Sequence, residues 1–139
     1  MSKKTLRPGK ASESIVFGAL LQEGMDVYPA LVDDQGIDAV LRSPNGKFYW
    51  DVQIKSSASW QGIRAWSDID AKSNYILILF NSEKWEIIWL PWSKLKRYFP
   101  ATGYDWGDVF LNNAVLDKLR KEGFDKIEKL RKYVNTAKF

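Results

Sequence analysis

Gly36-Ile37-Asp38-Ala39-Val40 and, after a hairpin, Asp51-Val52-Gln53-Ile54-Lys55-Ser56-Ser57 are the stretches whose reading decides the fold. Between them Ser43-Pro44-Asn45-Gly46 is a strong hairpin turn, with a residue suited to positive φ at its end. The strand after it, Lys47 to Lys55, alternates: Phe48, Trp50, Val52 and Ile54 fall on one face, and Tyr49, Asp51, Gln53 and Lys55 on the other. One face is therefore greasy, while the other carries a carboxylate, an amide and an ammonium in a row. Pairing this strand with Ile37 to Arg42 brings Asp38 toward Gln53 and Lys55 at one end of a sheet.

Working outward, a helix is expected from about Ser12, as N-cap, to Glu23, closed by Gly24 and buried along Val16, Phe17, Leu20 and Leu21. Glu13 lies at the N-terminal end of that buried stripe, an odd place for an acid. It can reach the same sheet end as Asp38. Met25 to Leu31 reads as a strand that precedes the decisive hairpin. Residues 56–73 read as loop. Asn74 to Phe80 is a continuous apolar run with β-branched character, expected as a central strand covered on both faces. Trp85 to Leu90 reads as a further strand stopped by Pro91. Helices are expected over 92–99, Asp108 to Glu122 and Phe124 to Val134, with Phe124, Ile127 and Leu130 inward and Lys126, Lys129, Arg131 and Lys132 outward. The order predicts an α/β chain with a mixed sheet of about five strands flanked by helices.

The 139 residues suffice for one domain, 11–139, preceded by a basic flexible arm over 1–10 that Pro8-Gly9 breaks. That arm carries Lys3, Lys4, Arg7 and Lys10 without an acid, and residues 92–139 are also basic, whereas 11–91 are net acidic. Basic ends around an acidic middle suit a protein that meets a polyanion at its rim and a cation at its centre. No apolar run is long enough to span a bilayer. The N-terminus lacks the apolar stretch of a secretory signal, so a cytoplasmic location without membrane partners is expected. Cysteine and histidine are both absent, which excludes disulfides, thiolate nucleophiles, Ser-His-Asp chemistry and His- or Cys-based metal sites. Chemistry here must run on carboxylates, amides, hydroxyls and lysine.

Two carboxylates, an amide oxygen and a lysine form a set of hard donors suited to Mg²⁺ or Mn²⁺ rather than zinc. With such a metal the set could cut a phosphodiester, with Lys55 stabilising charge on phosphorus. Read separately, the same residues are a turn acid, a surface lysine and the wet face of an antiparallel sheet. The seven tryptophans are expected mostly in the core, Trp50 on the apolar face and Trp85 and Trp89 in or beside the fifth strand. Trp60 and Trp66, with Arg64 between them, are candidates for nucleic-acid contact. Gln61 is a weaker candidate for orienting water or phosphate, and Ser56 and Ser57 for donating to phosphate.

The order helix acid, Gly-x-Asp, hairpin, Gln-x-Lys-Ser resembles the PD-(D/E)xK nuclease superfamily, which includes type II restriction enzymes, Holliday junction resolvases and some homing endonucleases. The resemblance covers about residues 11–80. In it Glu13 matches the helix acid, Asp38 the first-strand Asp and Gln53-Ile54-Lys55 the second-strand motif. It departs in Ile37, where the family name has Pro, and in Gln53, where an acid is usual. The resemblance implies a Mg²⁺-dependent DNA endonuclease, with Mn²⁺ able to substitute and no organic cofactor. Asp38, Gln53, the main-chain carbonyl of Ile54 and Glu13 would hold metal, and Lys55 would be the electrostatic catalyst. Lys3, Lys4, Arg7, Lys10, Ser56, Ser57, Trp60 and Arg64 would contact DNA, and cutting both strands would favour a homodimer or higher oligomer. The rival expectations are a catalytically inactive nuclease-fold module that binds nucleic acid or protein, and an inhibitor- or immunity-type partner of other proteins.

Overall fold

The computed structural model describes residues 3–31, 37–60, 63–66, 74–98, 106–109 and 111–138, with the side chains of 3–8, 63–66, 96–98 and 106–109 outside the description. The chain opens with helix α1 (Lys3–Gln22), followed by β1 (Asp26–Pro29), β2 (Ala39–Arg42) and β3 (Tyr49–Ser57). After β4 (Ile63–Trp66) come β5 (Tyr75–Asn81), β6 (Glu86–Pro91), α2 (Trp92–Tyr98) and β7 (Trp106–Val109). Helices α3 (Asn113–Glu122) and α4 (Ile127–Thr136) close the chain.

The main sheet has the order β1-β2-β3-β5-β6, with β3 and β5 parallel and the other neighbours antiparallel. This is the mixed five-stranded α/β sheet that the alternation and the apolar run predict. All seven residues of β5 are buried, as a strand covered on both faces requires. The hairpin joining β2 and β3 is built by its turn residues. Gly46 takes φ 74°, and the Ser43 hydroxyl accepts from the Phe48 N–H at 2.9 Å while donating to Asn45 Oδ1 at 2.8 Å.

On the apolar face of β3, Trp50 packs 4.6 Å from the Tyr133 ring and donates its indole N–H to the Val134 carbonyl at 3.0 Å. Trp89 of β6 stacks edge-on with Phe124, 4.8 Å between ring centroids, so α4 and the residues before it cover this face. Helix α1, buried along Val16 and Leu20, neighbours β1 and β3. Gly24 follows it with φ 86°, the left-handed value expected of a helix-ending glycine.

The structure departs from the expected elements in four places. The basic segment forms the opening turns of α1 instead of a flexible arm, so Ser12 is an interior helical residue, 6% exposed, and not an N-cap. Pro8 is the sixth residue of this helix, where it forgoes one intrahelical N–H bond. Within 56–73, expected as loop, Ile63–Trp66 forms a strand paired with Trp106–Val109, from Ile63 opposite Val109 to Trp66 opposite Trp106. The third helix starts at Asn113 instead of Asp108, because Asn112 caps it by accepting from the Val115 N–H at 2.9 Å. The last helix starts at Ile127, three residues later than expected, with Phe124 buried ahead of it.

Candidate active site

Asp38 stands immediately before β2, and its carbonyl and amide serve different strands. Its N–H donates to the Val52 carbonyl of β3 at 2.8 Å, while its C=O accepts from Ala30 N–H next to β1 at 2.9 Å. A regular antiparallel residue would turn both groups to the same neighbour. With the main-chain carbonyl turned away, the side chain takes its role: Asp38 Oδ2 accepts from the Ile54 N–H at 2.6 Å. The short distance is that of a charge-assisted bond, and Asp38 is 9% exposed.

The β2–β3 register runs from Arg42 opposite Tyr49 to Ala39 opposite Val52. The ladder ends there: the Asp38 N–H also goes to the Val52 carbonyl, so Asp38 and Ala39 together face Val52 as in a bulge, while alternation puts Gln53 and Lys55 on one face of β3. Alternation also turns the Ile54 N–H and C=O toward the β2 side, past the first residue of that strand. The bond from Ile54 to Asp38 thus brings three kinds of oxygen to one end of β3: the Asp38 carboxylate, the Gln53 amide oxygen and the Ile54 carbonyl.

Gln53 is buried, and its Oε1 accepts a 2.7 Å hydrogen bond from the phenol of Tyr75 on β5. Burial, and secondarily the Asp38 carboxylate, push the Tyr75 phenol well above its ordinary range, so it stays a donor. Sequence reasoning missed Tyr75. Its place opposite Asp51 follows only from the parallel pairing of β3 and β5. The polarity of a tyrosine opening an otherwise apolar run was the available signal.

Lys55 is half-buried, and its ammonium makes no hydrogen bond or ion pair among the described residues. Asp51, also half-buried, lies two residues before Gln53 on that face. Glu13 is bound elsewhere: its carboxylate is 3.3 Å from Lys10 Nζ on the same helix. No group of three or more acidic side chains converges on one point among the described residues.

The expected DNA contacts fall in several classes. Ser56 is exposed, and Ser57 is half-buried with its hydroxyl accepting from the Ser59 N–H at 3.2 Å. Trp60 is 6% exposed, so its ring belongs to the core and the expected surface contact there is corrected. Trp85 is the reverse case, expected in the core and 68% exposed. Lys10 is exposed, whereas the side chains of Lys3, Lys4, Arg7, Arg64 and Trp66, and all of Gln61, lie outside the described residues. Among the described residues no helix is long and apolar enough to cross a membrane.

No protein-family model matches the sequence, and no curated protein does. The fold does have a counterpart among solved structures. It superimposes on a bacterial homing endonuclease, I-Ssp6803I, with a TM-score of 0.57 over 96% of this chain and 93% of that one, at 15% sequence identity. The chain therefore has the fold of a homing endonuclease.

Proposed function

We propose that the chain is a DNA endonuclease of the PD-(D/E)xK type, working with Mg²⁺ or Mn²⁺ at Asp38. The observation that carries this reading is the Asp38 carboxylate bonded at 2.6 Å to the N–H of Ile54, the residue between Gln53 and Lys55 on β3. The likeness to a homing endonuclease fold supports it. A hard divalent cation fits the donors: one ionised oxygen, one amide oxygen and one main-chain carbonyl. Bound there, it would supply Lewis-acid polarisation of a phosphate and a more acidic water.

The protein's own groups do the rest. The Ile54 N–H fixes the rotamer of Asp38, and the Tyr75 phenol fixes the amide of Gln53 so that its oxygen, not its nitrogen, faces the donor. Lys55 neutralises charge that develops on the phosphate. Glu13 would complete the acid count on giving up its Lys10 partner. A homodimer would present two such sites to the two strands.

Gln53 and the lack of a three-acid cluster among the described residues favour a second reading, a nuclease fold that binds DNA without cutting it. The deciding experiment is cleavage of supercoiled plasmid and of a four-way DNA junction with Mg²⁺, Mn²⁺ or EDTA. Asp38→Asn and Lys55→Ala proteins run alongside. Metal-dependent cutting lost in both variants supports the enzyme. Salt-sensitive binding without cutting by the native protein supports the second reading, and neither activity sinks both.

A further inference from the structure

Strand β6 is the last strand of the main sheet, and a cavity of about 710 Å³ opens beside it. The register places Trp89, which lines the cavity, level with Ile78 and through it with Ile54. The cavity therefore lies on the apolar face of the sheet, opposite to Gln53 and Lys55, and is separate from the candidate active site. Its floor is two aromatic rings. Trp89 and Phe124 are both almost fully buried, with ring centroids 4.8 Å apart, and the Trp89 indole N–H donates to the Lys126 carbonyl at 3.0 Å.

Four lysines from three places in the chain surround this floor: Lys94 of α2, Lys129 and Lys132 of α4, and Lys138 beyond it. Against them Glu122 is the one acid lining the cavity among the described residues, and it is already engaged. Lys94 Nζ lies 3.7 Å from its carboxylate and 5.7 Å from the centre of the Phe124 ring. Glu128, one turn before Lys132, is exposed, does not line the cavity and forms no ion pair among the described residues. Lys129, Lys132 and Lys138 have no acid partner among the described residues either, so their charge is left uncompensated.

The helix dipole explains lysines near the end of α4, such as Lys132 and Lys138. It does not explain Lys129, which stands in the first turn of that helix, where a cation is disfavoured. Yet Lys129 is seated with care. Its stem crosses Gly123 so closely that a Cβ there would come within 2.5 Å of Nζ, and Nζ donates to the Glu122 carbonyl at 3.5 Å. Cavities of roughly 300–1,000 Å³ with apolar walls and a few convergent polar groups are the usual form of small-molecule sites. Here the walls are aromatic rings and lysine stems, and the polar groups are mostly ammonium. Such a lining repels a cation and complements an anion with an apolar body.

We propose that this cavity binds a small organic anion, its flat apolar body over Trp89 and Phe124 and its phosphate or carboxylate head among Lys129, Lys132 and Lys138. The site does not rest on the endonuclease reading and stands or falls apart from it.

The test uses the full chain and a fluorescent anion, 8-anilinonaphthalene-1-sulfonate, beside N-phenyl-1-naphthylamine, which has the same flat body without the charge. The native protein should bind one sulfonate per chain, about tenfold more tightly than the neutral compound. Lys129→Gln/Lys132→Gln should lose about tenfold of the sulfonate affinity and keep that for the neutral compound. It should melt with the native protein, since both side chains are exposed. Lys47→Gln/Lys84→Gln removes the same net charge from exposed positions elsewhere and should bind as the native protein does. Native affinity in Lys129→Gln/Lys132→Gln overturns the inference. So does an equal loss in Lys47→Gln/Lys84→Gln, which would reduce the effect to net charge, and so does equal binding of the two compounds, which would leave only an apolar patch. If Lys129→Gln/Lys132→Gln melts lower, Lys138→Gln takes its place, and unchanged sulfonate affinity there overturns the inference too. Salicylate and phenyl phosphate then compete with the sulfonate: displacement by either supports the site and tells a carboxylate head from a phosphate. Displacement by duplex DNA and by neither small anion assigns the lysines to a nucleic-acid backbone and overturns it.

Discussion

The two faces of β3 come from one alternating sequence and do different work. On one, Trp50, Val52 and Ile54 are buried against an apolar layer that includes Tyr133 and Val134. On the other, Gln53 is almost as deeply buried but is held by a polar partner, the Tyr75 phenol bonded to its amide oxygen. Burial alone does not separate the faces. What separates them is that the first gains free energy from lost water contact, whereas the second must replace every water it loses with a hydrogen bond. A polar face this enclosed is a costly way to stabilise a sheet and an effective way to fix donors in space.

Mutations can break that contrast, and the largest effect on stability belongs to the apolar face. Trp50→Ala removes a buried indole and strands the Val134 carbonyl, and should cost about 3–5 kcal/mol in urea unfolding. Less than about 1 kcal/mol would mean that α4 does not depend on this face.

Tyr75→Phe comes next. It leaves the Gln53 oxygen without its donor in a buried place and should cost about 1–3 kcal/mol. It should also remove one phenol from the absorbance titration. The native protein should keep the Tyr75 phenol protonated well above the ordinary pKa of about 10. Because that pKa is raised on folding, stability is fully present below the unfolded value and falls as pH climbs above it. A Tyr75→Phe protein with the native alkaline stability profile would refute this.

The Glu86–Arg120 pair, which joins β6 to α3, sets a scale for an ordinary half-buried interaction. The Arg120 guanidinium holds the Glu86 carboxyl below the usual glutamate range. Its contribution is therefore present above the unfolded glutamate pKa of about 4.3 and is lost as pH falls through the lower folded value. Glu86→Gln should cost about 1–2 kcal/mol at neutral pH and nothing once the native carboxyl is protonated. A penalty independent of pH would mean that geometry, not charge, is what Arg120 supplies.

Lys55→Met should be the mildest for stability, within about 0.5 kcal/mol, since the ammonium has no described partner to lose. If it also abolishes DNA cleavage, the polar face is shown to serve chemistry at almost no cost to the fold.

How much of this is legible in the sequence follows from the range of each signal. The strands of the main sheet are written in period-two alternation and one apolar run, both local patterns, and the turn at Ser43 to Gly46 is local too. Gln53 and Lys55 can therefore be placed on one face from alternation alone, whereas Asp38 lies just beyond the β2 ladder, where its N–H shares the Val52 carbonyl and alternation no longer applies. The β4–β7 pair cannot, because four residues at each end of a long separation carry no periodicity of their own. Pro8-Gly9 suggests a break that helix α1 absorbs near its start. Trp85 misleads because an aromatic beside a strand is usually core, and Trp60 because a polar neighbourhood in sequence is not a polar neighbourhood in space. Helical periodicity puts Glu13 on the right helix, but spacing alone gives no weight to its salt bridge with Lys10.

The parallel pairing of β3 with β5 also sets an order of assembly. Asp38 and Ile54 belong to one hairpin, a short loop that closes early and at small entropic cost. Gln53 and Tyr75 meet only after the chain beyond Ser57 has returned to add β5. Non-local parallel contacts of this kind are the slow ones. The bond of Asp38 to Ile54 therefore needs only the local hairpin, whereas the Gln53 amide is held in place only once β5 has paired with β3.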